Sequence, residues 1–466
     1  MPFSFTLDPT ETAPLFHQIA TRIRSAITRG QMSPGMRLPS SRALALRLSV
    51  ARSTVDAAYA LLACEGAITA GPSVGNVVSG SVGSRIEVPE HTPFMFPAEA
   101  VGDPIAPRPL RIGLPSLDQF PMRLWSNLTV RTVRCQQTAD LADPHPCGLP
   151  ALRRMVVSYL AAARGISCSA EQVLITGGYQ GALALVRSVL VKPGDAVWVE
   201  DPGYPAARQA LEAASARVVP VRVDQDGLRV TSGQAAAPRA KLAVVTPTHH
   251  YPTGVAMSLP RRMELLAWAA ETGAWLLEDD YDSEFRYVGR PLPALKSLDR
   301  GQRVLHAGSF SKTLFPALRL GYLVVPPELV AAFARAARLL TAGPPVLQQV
   351  VAASFITDGH FTRHIRRMRL LYSQRREALA AALETGFGSL VTVETPAGGL
   401  HLLTRFPGGE DDGVLAKRAL AAGLEPTALS SLAMAHDCGQ GLLLGFANLP
   451  AADAPGVVAR LRAAVC

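Results

Sequence analysis

Residues 308–322 read GSFSKTLFPALRLGY, and the lysine in this run is out of character for the chain. Of 46 basic residues only five are lysines: Lys192, Lys241, Lys296, Lys312 and Lys417. Arginine fills nearly every other cationic position. Lys312 stands in an apolar neighbourhood, just behind Ser309 and Ser311 and ahead of Arg319. A solvated face tolerates either cation. A site that needs a nucleophilic amine does not, because a guanidinium stays protonated and cannot form an imine. Lys192, Lys241, Lys296 and Lys417 read as ordinary surface or loop residues.

An aldehyde cofactor with a phosphate tail would give Lys312 a task, and such a cofactor has further needs. Its phosphate wants backbone amides at a helix N-terminus. VLITGGYQGALALVRSVL (173–190) offers a strand, a Gly177-Gly178 turn and a helix starting near Tyr179-Gln180. Ser309, Ser311 and Arg319 add hydroxyl and guanidinium donors. Taken alone, a Gly-Gly turn before a helix is usually only a tight turn. A pyridine ring needs an anion at its nitrogen to act as an electron sink. AWLLEDDYDSEF (274–285) is an apolar strand ending in Glu278, Asp279 and Asp280, three acids that are costly there without a cation or a proton nearby. A strand that merely surfaces is the commoner reading of one acidic strand end. Tyr281, two residues past Asp279, suits a phenolic oxygen, and DPGYP (201–205) supplies Tyr204 for stacking. The order glycines, tyrosine, aspartate, lysine carries more information than any one of them. His306, on the strand before the Lys312 loop, reads as a packed histidine.

The bulk numbers fit a globular chain. It has 466 residues, 48% apolar and 18% charged, enough for two or three domains. No charged-then-apolar leader and no bilayer-length apolar run is present. Six scattered cysteines without a CxxC pair suggest reduced thiols in the cytoplasm and no zinc site. A net charge of +9 is compatible with nucleic acid but weak evidence over this length.

Three segments follow from periodicity. Residues 111–466 alternate strand-length apolar runs with helical patterns; Val173–Thr176, Ala196–Glu200, Leu242–Thr246, Ala274–Leu277 and Val304–Ala307 are examples of the runs. That alternation predicts an α/β domain with a mostly parallel sheet. Residues 81–110 lose periodicity and gain Pro89, Pro93, Pro97, Pro104, Pro107 and Pro109, the composition of a stiff linker. In residues 1–80, Leu15, Ile19, Ile23 and Ile27 form one helical stripe, Leu44 and Leu48 continue a second, and Val55, Ala58, Tyr59 and Leu62 a third. Ser40 or Ser41 is placed to cap the second helix. Arg52, Ser53 and Asp56 project from the start of the third. This is the helix-turn-helix plan, followed by two short strands around Gly71-Pro72 as a wing. Seven arginines against Asp8, Glu11, Asp56 and Glu65 leave the segment at +3. A small helical interaction module has the same periodicity.

The run from LFHQIATRIRS to LLACEGAI, and above all PGMRLPSSRALA and ARSTVDAAYALL, resembles the winged-helix domain of GntR-type regulators. The resemblance implies that Arg37, Ser41, Arg42, Arg52, Ser53 and Thr54 contact the phosphates or bases of double-stranded promoter DNA. The wing, Gly66 to Val78, departs from the pattern in having no Lys or Arg. TGGYQGAL, EDPGYP, TPTHHYPTG, LLEDDYDSEF and GSFSKTLFPALRLGY resemble the fold-type I aminotransferases, which depend on pyridoxal 5′-phosphate. The whole chain is thus similar to the MocR/GabR-type transcriptional regulators. That implies Lys312 as imine lysine, Asp279 at the ring nitrogen, Tyr281 at the phenolic oxygen and Tyr204 on the ring face. Around the phosphate it implies Gly178, Tyr179, Gln180, Ser309, Ser311 and Arg319. It also implies a smaller C-terminal subdomain, a domain-swapped head-to-tail homodimer, and an amine effector, or the cofactor itself, sensed by imine exchange at Lys312.

Two departures bear on function. Where many aminotransferases have Asn before Pro-Thr-Gly, this chain has Tyr251, and His249 is the candidate to take over its hydrogen bond. Where a C-terminal arginine would clamp a substrate carboxylate, GLLLGFANLP puts leucines at 442–444, leaving Arg208 as a substitute or an effector without an α-carboxylate. An active aminotransferase with an accessory DNA-binding head is the alternative reading. An adaptor that has lost the cofactor is a third.

Overall fold

The computed structural model describes residues 5–7, 13–71, 75–79, 107–289, 292–406 and 410–466. It divides into two compact units, Met1–Ile105 and Ala106–Cys466.

In the first unit, helices α1 (Leu15–Thr28), α2 (Ser41–Leu48) and α3 (Arg52–Cys64) precede the antiparallel pair β1 (Ile68–Gly71) and β2 (Gly75–Val78). Ile19, Ile23 and Ile27 of the first stripe are buried, with Val55, Ala58, Tyr59 and Leu62 of the third. Leu15, the first residue of α1, is 42% exposed and stands apart from the buried stripe. Of the two candidate caps for α2, Ser40 takes the role: its Oγ accepts from the Ala43 amide at 3.3 Å. The Tyr59 hydroxyl donates to Pro39 O at 2.8 Å and ties α3 to the turn before α2. The wing tip at 72–74 lies outside the described residues.

The second unit is built on eight strands. In chain order they are β3 (Val173–Thr176), β4 (Ala196–Asp201), β5 (Arg217–Asp224), β6 (Gly227–Leu228), β7 (Leu242–Val245), β8 (Trp275–Asp280), β9 (Val304–Ser309) and β10 (Gly321–Val324). Their order across the sheet is β3-β10-β9-β8-β7-β4-β5-β6. Neighbours from β9 to β5 run parallel, and the pairs β9–β10, β10–β3 and β5–β6 are antiparallel. Strands buried on both faces read as continuous apolar runs, as LAVV and WLL do. Trp275 and Leu277 of β8 belong to the core on one face, with helix Tyr179–Leu190, while Leu276 belongs to the other, with the stacked Trp198 and Trp268. A smaller antiparallel sheet forms the C-terminal subdomain: β11 (Thr392–Glu394), β12 (His401–Arg405), β13 (Thr427–Ala428) and β14 (Leu442–Gly445), in the order β11-β12-β14-β13.

The expected linker ends sooner than its prolines suggest. Pro89, Pro93, Pro97 and Pro104 lie outside the described residues, but the chain at 107–110 is already part of the second unit. Pro109 O accepts from the Glu425 amide, Leu110 O accepts from the Gly445 amide, and Leu110 is 1% exposed. Lys296 also departs from expectation: its Nζ donates to Val304 O at 2.6 Å, so it is a packed residue. Among the described residues no helix is long and apolar enough to cross a membrane, and all six cysteines are free.

Candidate functional site

The pleat of β8 sorts its three acids. Successive side chains point to opposite faces, so Glu278 and Asp280 share one side and Asp279 takes the other. Glu278 accepts from the Leu295 and Lys296 amides and lies 2.9 Å from His306 Nδ1. Burial opposes its charge, but His306 and Arg164 hold it down to about 2. Asp280 pairs with Arg164 Nε at 2.7 Å, and the same guanidinium donates to Thr248 Oγ1 and Leu292 O. His306 is the packed histidine expected, fully buried between those acids.

Asp279 has no such partner. It is 7% exposed, and its Oδ1 lacks a hydrogen-bond partner. Burial first, then the charges of Asp280 and Glu200, push its carboxyl well above the usual range. This side chain asks for a cation or a donor. It opens on a cavity of about 200 Å³ shared with Lys312, Tyr179, Gln180, Tyr204, Tyr281, Ser309, Ser311 and Arg319. Burial lowers the Lys312 amine, against the pull of Asp282 and Asp279, towards the neutral form that a nucleophile needs. Its Nζ donates to Gly113 O at 2.5 Å.

One end of the cavity suits an anion. Helix Tyr179–Leu190 starts from Gly178 at φ +80°, a conformation that favours glycine, and no side chain caps its first amides. The Arg319 guanidinium donates to Gly177 O at 3.2 Å, and Ser309 Oγ accepts from the Ser311 amide. Free amides, two hydroxyls and a guanidinium at a helix N-terminus make a phosphate cradle. In the middle, Tyr204 is 40% exposed and 6.1 Å from the Tyr179 ring, leaving an aromatic face for a planar ligand. The residues present therefore fit pyridoxal phosphate: amine, ring-nitrogen acid, stacking face and phosphate donors converge.

His249 reaches the site through Tyr281, whose hydroxyl lies 3.0 Å from its Nδ1. Arg208 does not line this cavity. It lies on the other side of Tyr204, in a smaller cavity with Glu200, Thr246 and Asp279, its Nε 3.9 Å from Glu212. Of the three leucines of β14, Leu442 and Leu444 enter the main core, while Leu443 packs with Leu403, Ile112 and Tyr251 on the site side. By the β12–β14 register Leu443 shares a sheet face with His401, which lines the cavity, so this position on the site side is apolar.

The sequence reading missed several residues of the lining: Gly113, Tyr251, Asp282, Pro316, Leu400 and His401. Tyr251, Asp282 and Pro316 lie within TPTHHYPTG, LLEDDYDSEF and GSFSKTLFPALRLGY, beside residues whose chemistry is more conspicuous. Gly113 and His401 carried no local signal.

In the first unit, the residues read as DNA contacts come from α2 (Ser41, Arg42), the start of α3 (Arg52, Ser53, Thr54) and the turn before α2, where Arg37 bridges to Val77 of β2. Arg37, Arg42, Arg52 and Ser53 are exposed, and Ser41 and Thr54 are half-buried. Arg52 makes only a 3.5 Å contact with Asp56, four residues on. Arg47, also exposed on α2, belongs with them and had not been singled out.

The chain matches the gntR family of bacterial regulatory proteins over residues 15–78 and aminotransferase class I and II over residues 132–420. It is 35% identical to the probable rhizopine catabolism regulatory protein MocR of Rhizobium meliloti, across 95% of this chain and 92% of that one. It is 35% identical to the transcriptional regulator TauR of Rhodobacter capsulatus, across 90% of each. The crystal structure of Pyrococcus horikoshii kynurenine aminotransferase, solved with PMP, aligns with TM-score 0.70 at 29% identity, covering 76% of this chain and 90% of that one. The chain belongs to the MocR-type helix-turn-helix transcriptional regulators, in which a GntR-family segment and an aminotransferase-type segment are joined in one polypeptide.

Proposed function

We propose that this regulator binds pyridoxal phosphate at Lys312 and responds to an amine-bearing effector, or to the cofactor itself, by altered binding to promoter DNA. The observation that carries the reading is the convergence of two mismatched groups on one cavity: an amine held towards neutrality and a buried acid with no cation beside it and no hydrogen-bond partner for its Oδ1 among the described residues. The cofactor, when bound, would supply a carbonyl able to condense with amines and a ring able to hold charge. Lys312 is the residue that would capture it, Asp279 would keep the ring nitrogen protonated, and Tyr204 would cover one face. Gly178, Tyr179, Gln180, Ser309, Ser311 and Arg319 would hold the phosphate. Arg37, Ser41, Arg42, Arg52, Ser53 and Thr54 would meet the DNA, as two copies in a head-to-tail homodimer.

Leu443 favours sensing over amino-acid transamination, because leucine cannot replace a bidentate guanidinium on a carboxylate. The test is fluorescence anisotropy on the fragment upstream of its own gene, with pyridoxal phosphate and a panel of amines, beside steady-state assays with amino donors. A changed affinity without sustained turnover supports the sensor. Sustained turnover with unchanged DNA affinity supports an enzyme with an accessory head.

A further inference from the structure

His249 Nδ1 lies 3.0 Å from the Tyr281 hydroxyl and 3.0 Å from Asp282 Oδ2. One ring nitrogen cannot serve both in the same protonation state. Unprotonated, it accepts from the tyrosine; protonated, it donates to the carboxylate. In the first arrangement Asp282 Oδ2 has no hydrogen-bond partner, although the residue is 2% exposed. A buried carboxylate oxygen left unpaired is costly. In the second arrangement Asp282 is satisfied, and the Tyr281 hydrogen must find another acceptor. Tyr281 and Asp282 both line the Lys312 cavity, so that acceptor would lie inside it.

We infer that Asp282 is a positioning residue that acts through His249: it draws the imidazole proton onto Nδ1 and so turns the Tyr281 hydroxyl towards the ring oxygen of bound pyridoxal phosphate. The inference rests on the cofactor reading above and concerns the direction of one hydroxyl. The surroundings of His249 leave it free to switch. Tyr281 and Asp282 face it from the segment after β8, His250 from its own turn, and His401 from β12 with ring centroids 5.9 Å apart. Burial lowers His250 to about 3 and His401 to about 4, so neither brings a competing charge near neutral pH. On its far side His249 borders a cavity of about 130 Å³ with Thr248, Asp282 and Arg286. The buried Nε2 has no hydrogen-bond partner among the described residues, so none of them fixes the proton on that nitrogen. Lys312 and Asp279 complete the charged set around the site.

The test is a pH titration of the visible absorbance band of the full chain loaded with pyridoxal phosphate. A hydrogen bond from Tyr281 stabilises the ring oxygen as an anion and lowers the pH at which the neighbouring proton leaves. Asp282→Asn lets Tyr281 turn back to His249, so the midpoint rises by about one pH unit, the scale of one hydrogen bond to a charged group. A direct charge effect of Asp282 has the opposite sign, because removing a negative charge makes a nearby proton leave sooner. In a His249→Phe background the rise is absent. A midpoint that falls or stays put in Asp282→Asn overturns the inference, as does a rise that persists without His249. Asp282→Ser, read the same way, serves if Asp282→Asn does not fold. Failure of the cofactor reading itself looks different: the wild-type chain then shows no visible band at all.

Discussion

Two arginine–carboxylate pairs in this protein have the same length and different meanings. In the DNA-binding unit, Arg24 meets Glu65 at 2.7 Å with 39% and 35% of the side chains exposed. In the aminotransferase-type unit, Arg164 meets Asp280 at 2.7 Å with 4% of each exposed. Water and salt dilute the first, and such surface pairs contribute little. The second is desolvated, and its guanidinium is held in place by Thr248 and Leu292 as well. The contrast extends to the candidate sites. The first unit wears its arginines outside, where they can meet phosphates. The second keeps the ionisable groups of its candidate site in the interior, where burial and neighbouring charges move their proton affinities. Contact distance alone separates neither the pairs nor the sites; exposure does.

The largest effect lies in the interior. Lys312→Arg keeps a long basic side chain and removes the one amine of the described cavity lining, so the visible band with pyridoxal phosphate disappears entirely while the far-ultraviolet circular dichroism is unchanged. Next comes Arg164→Ala, which leaves Asp280 buried and unpaired. It destabilises the second unit by roughly 3–5 kcal/mol in denaturant titration. Arg24→Ala moves the first unit's unfolding midpoint hardly at all. An equal effect of the two substitutions would refute the exposure argument.

Acidity gives a smaller effect with a definite sign. Burial raises Glu200 to about 7, against the hydrogen bonds from Thr246, and raises Glu284 to about 7 as well. An acid raised in the folded state binds its proton more tightly there than when unfolded. Its stabilising contribution is therefore present at low pH and is lost as pH climbs from the ordinary carboxyl range to about 7. The cofactor-free protein should lose thermal stability over that window, and Glu200→Gln should remove part of the loss, on the order of 1–3 kcal/mol. A melting temperature that rises across the same window contradicts this. The smallest effect lies outside: Arg52→Ala lowers the slope of log affinity for DNA against log salt by about 0.9 if it serves one phosphate, with equal weakening on every sequence. Weakening confined to one base pair would make Arg52 a base reader.

Much of this was legible locally. The stripes at Ile19, Ile23 and Ile27 and at Val55, Ala58, Tyr59 and Leu62 each depend on one helix's own period. The strands Val173–Thr176 and Val304–Ala307 were marked by continuous apolar runs. The strings around Tyr204, Asp279 and Lys312 named the cavity because each carries chemistry within a few residues. What stayed hidden is assembled from distant chain. Gly113 O reaches Lys312 from 199 residues away, and Arg164 reaches Asp280 from 116. His401 meets the site from the small subdomain, and Lys296 donates its Nζ to Val304 O, a contact that its own neighbours in sequence do not mark. The prolines did not mark where the second unit begins, because backbone acceptors at Pro109 and Leu110 find donors only in the folded C-terminal part. Arg208, one helical turn after the stacking tyrosine, lines the smaller cavity with Glu200 and Thr246 and not the one that holds Lys312.

The most direct test of the central claim is to trap and map the covalent link. The wild-type chain is incubated with pyridoxal phosphate, reduced with borohydride, digested and read by mass spectrometry. The account predicts one pyridoxyl adduct, on Lys312, present at stoichiometric cofactor and abolished by Lys312→Arg. Adducts spread over Lys192, Lys241 and Lys417 with Lys312 unmodified would contradict it.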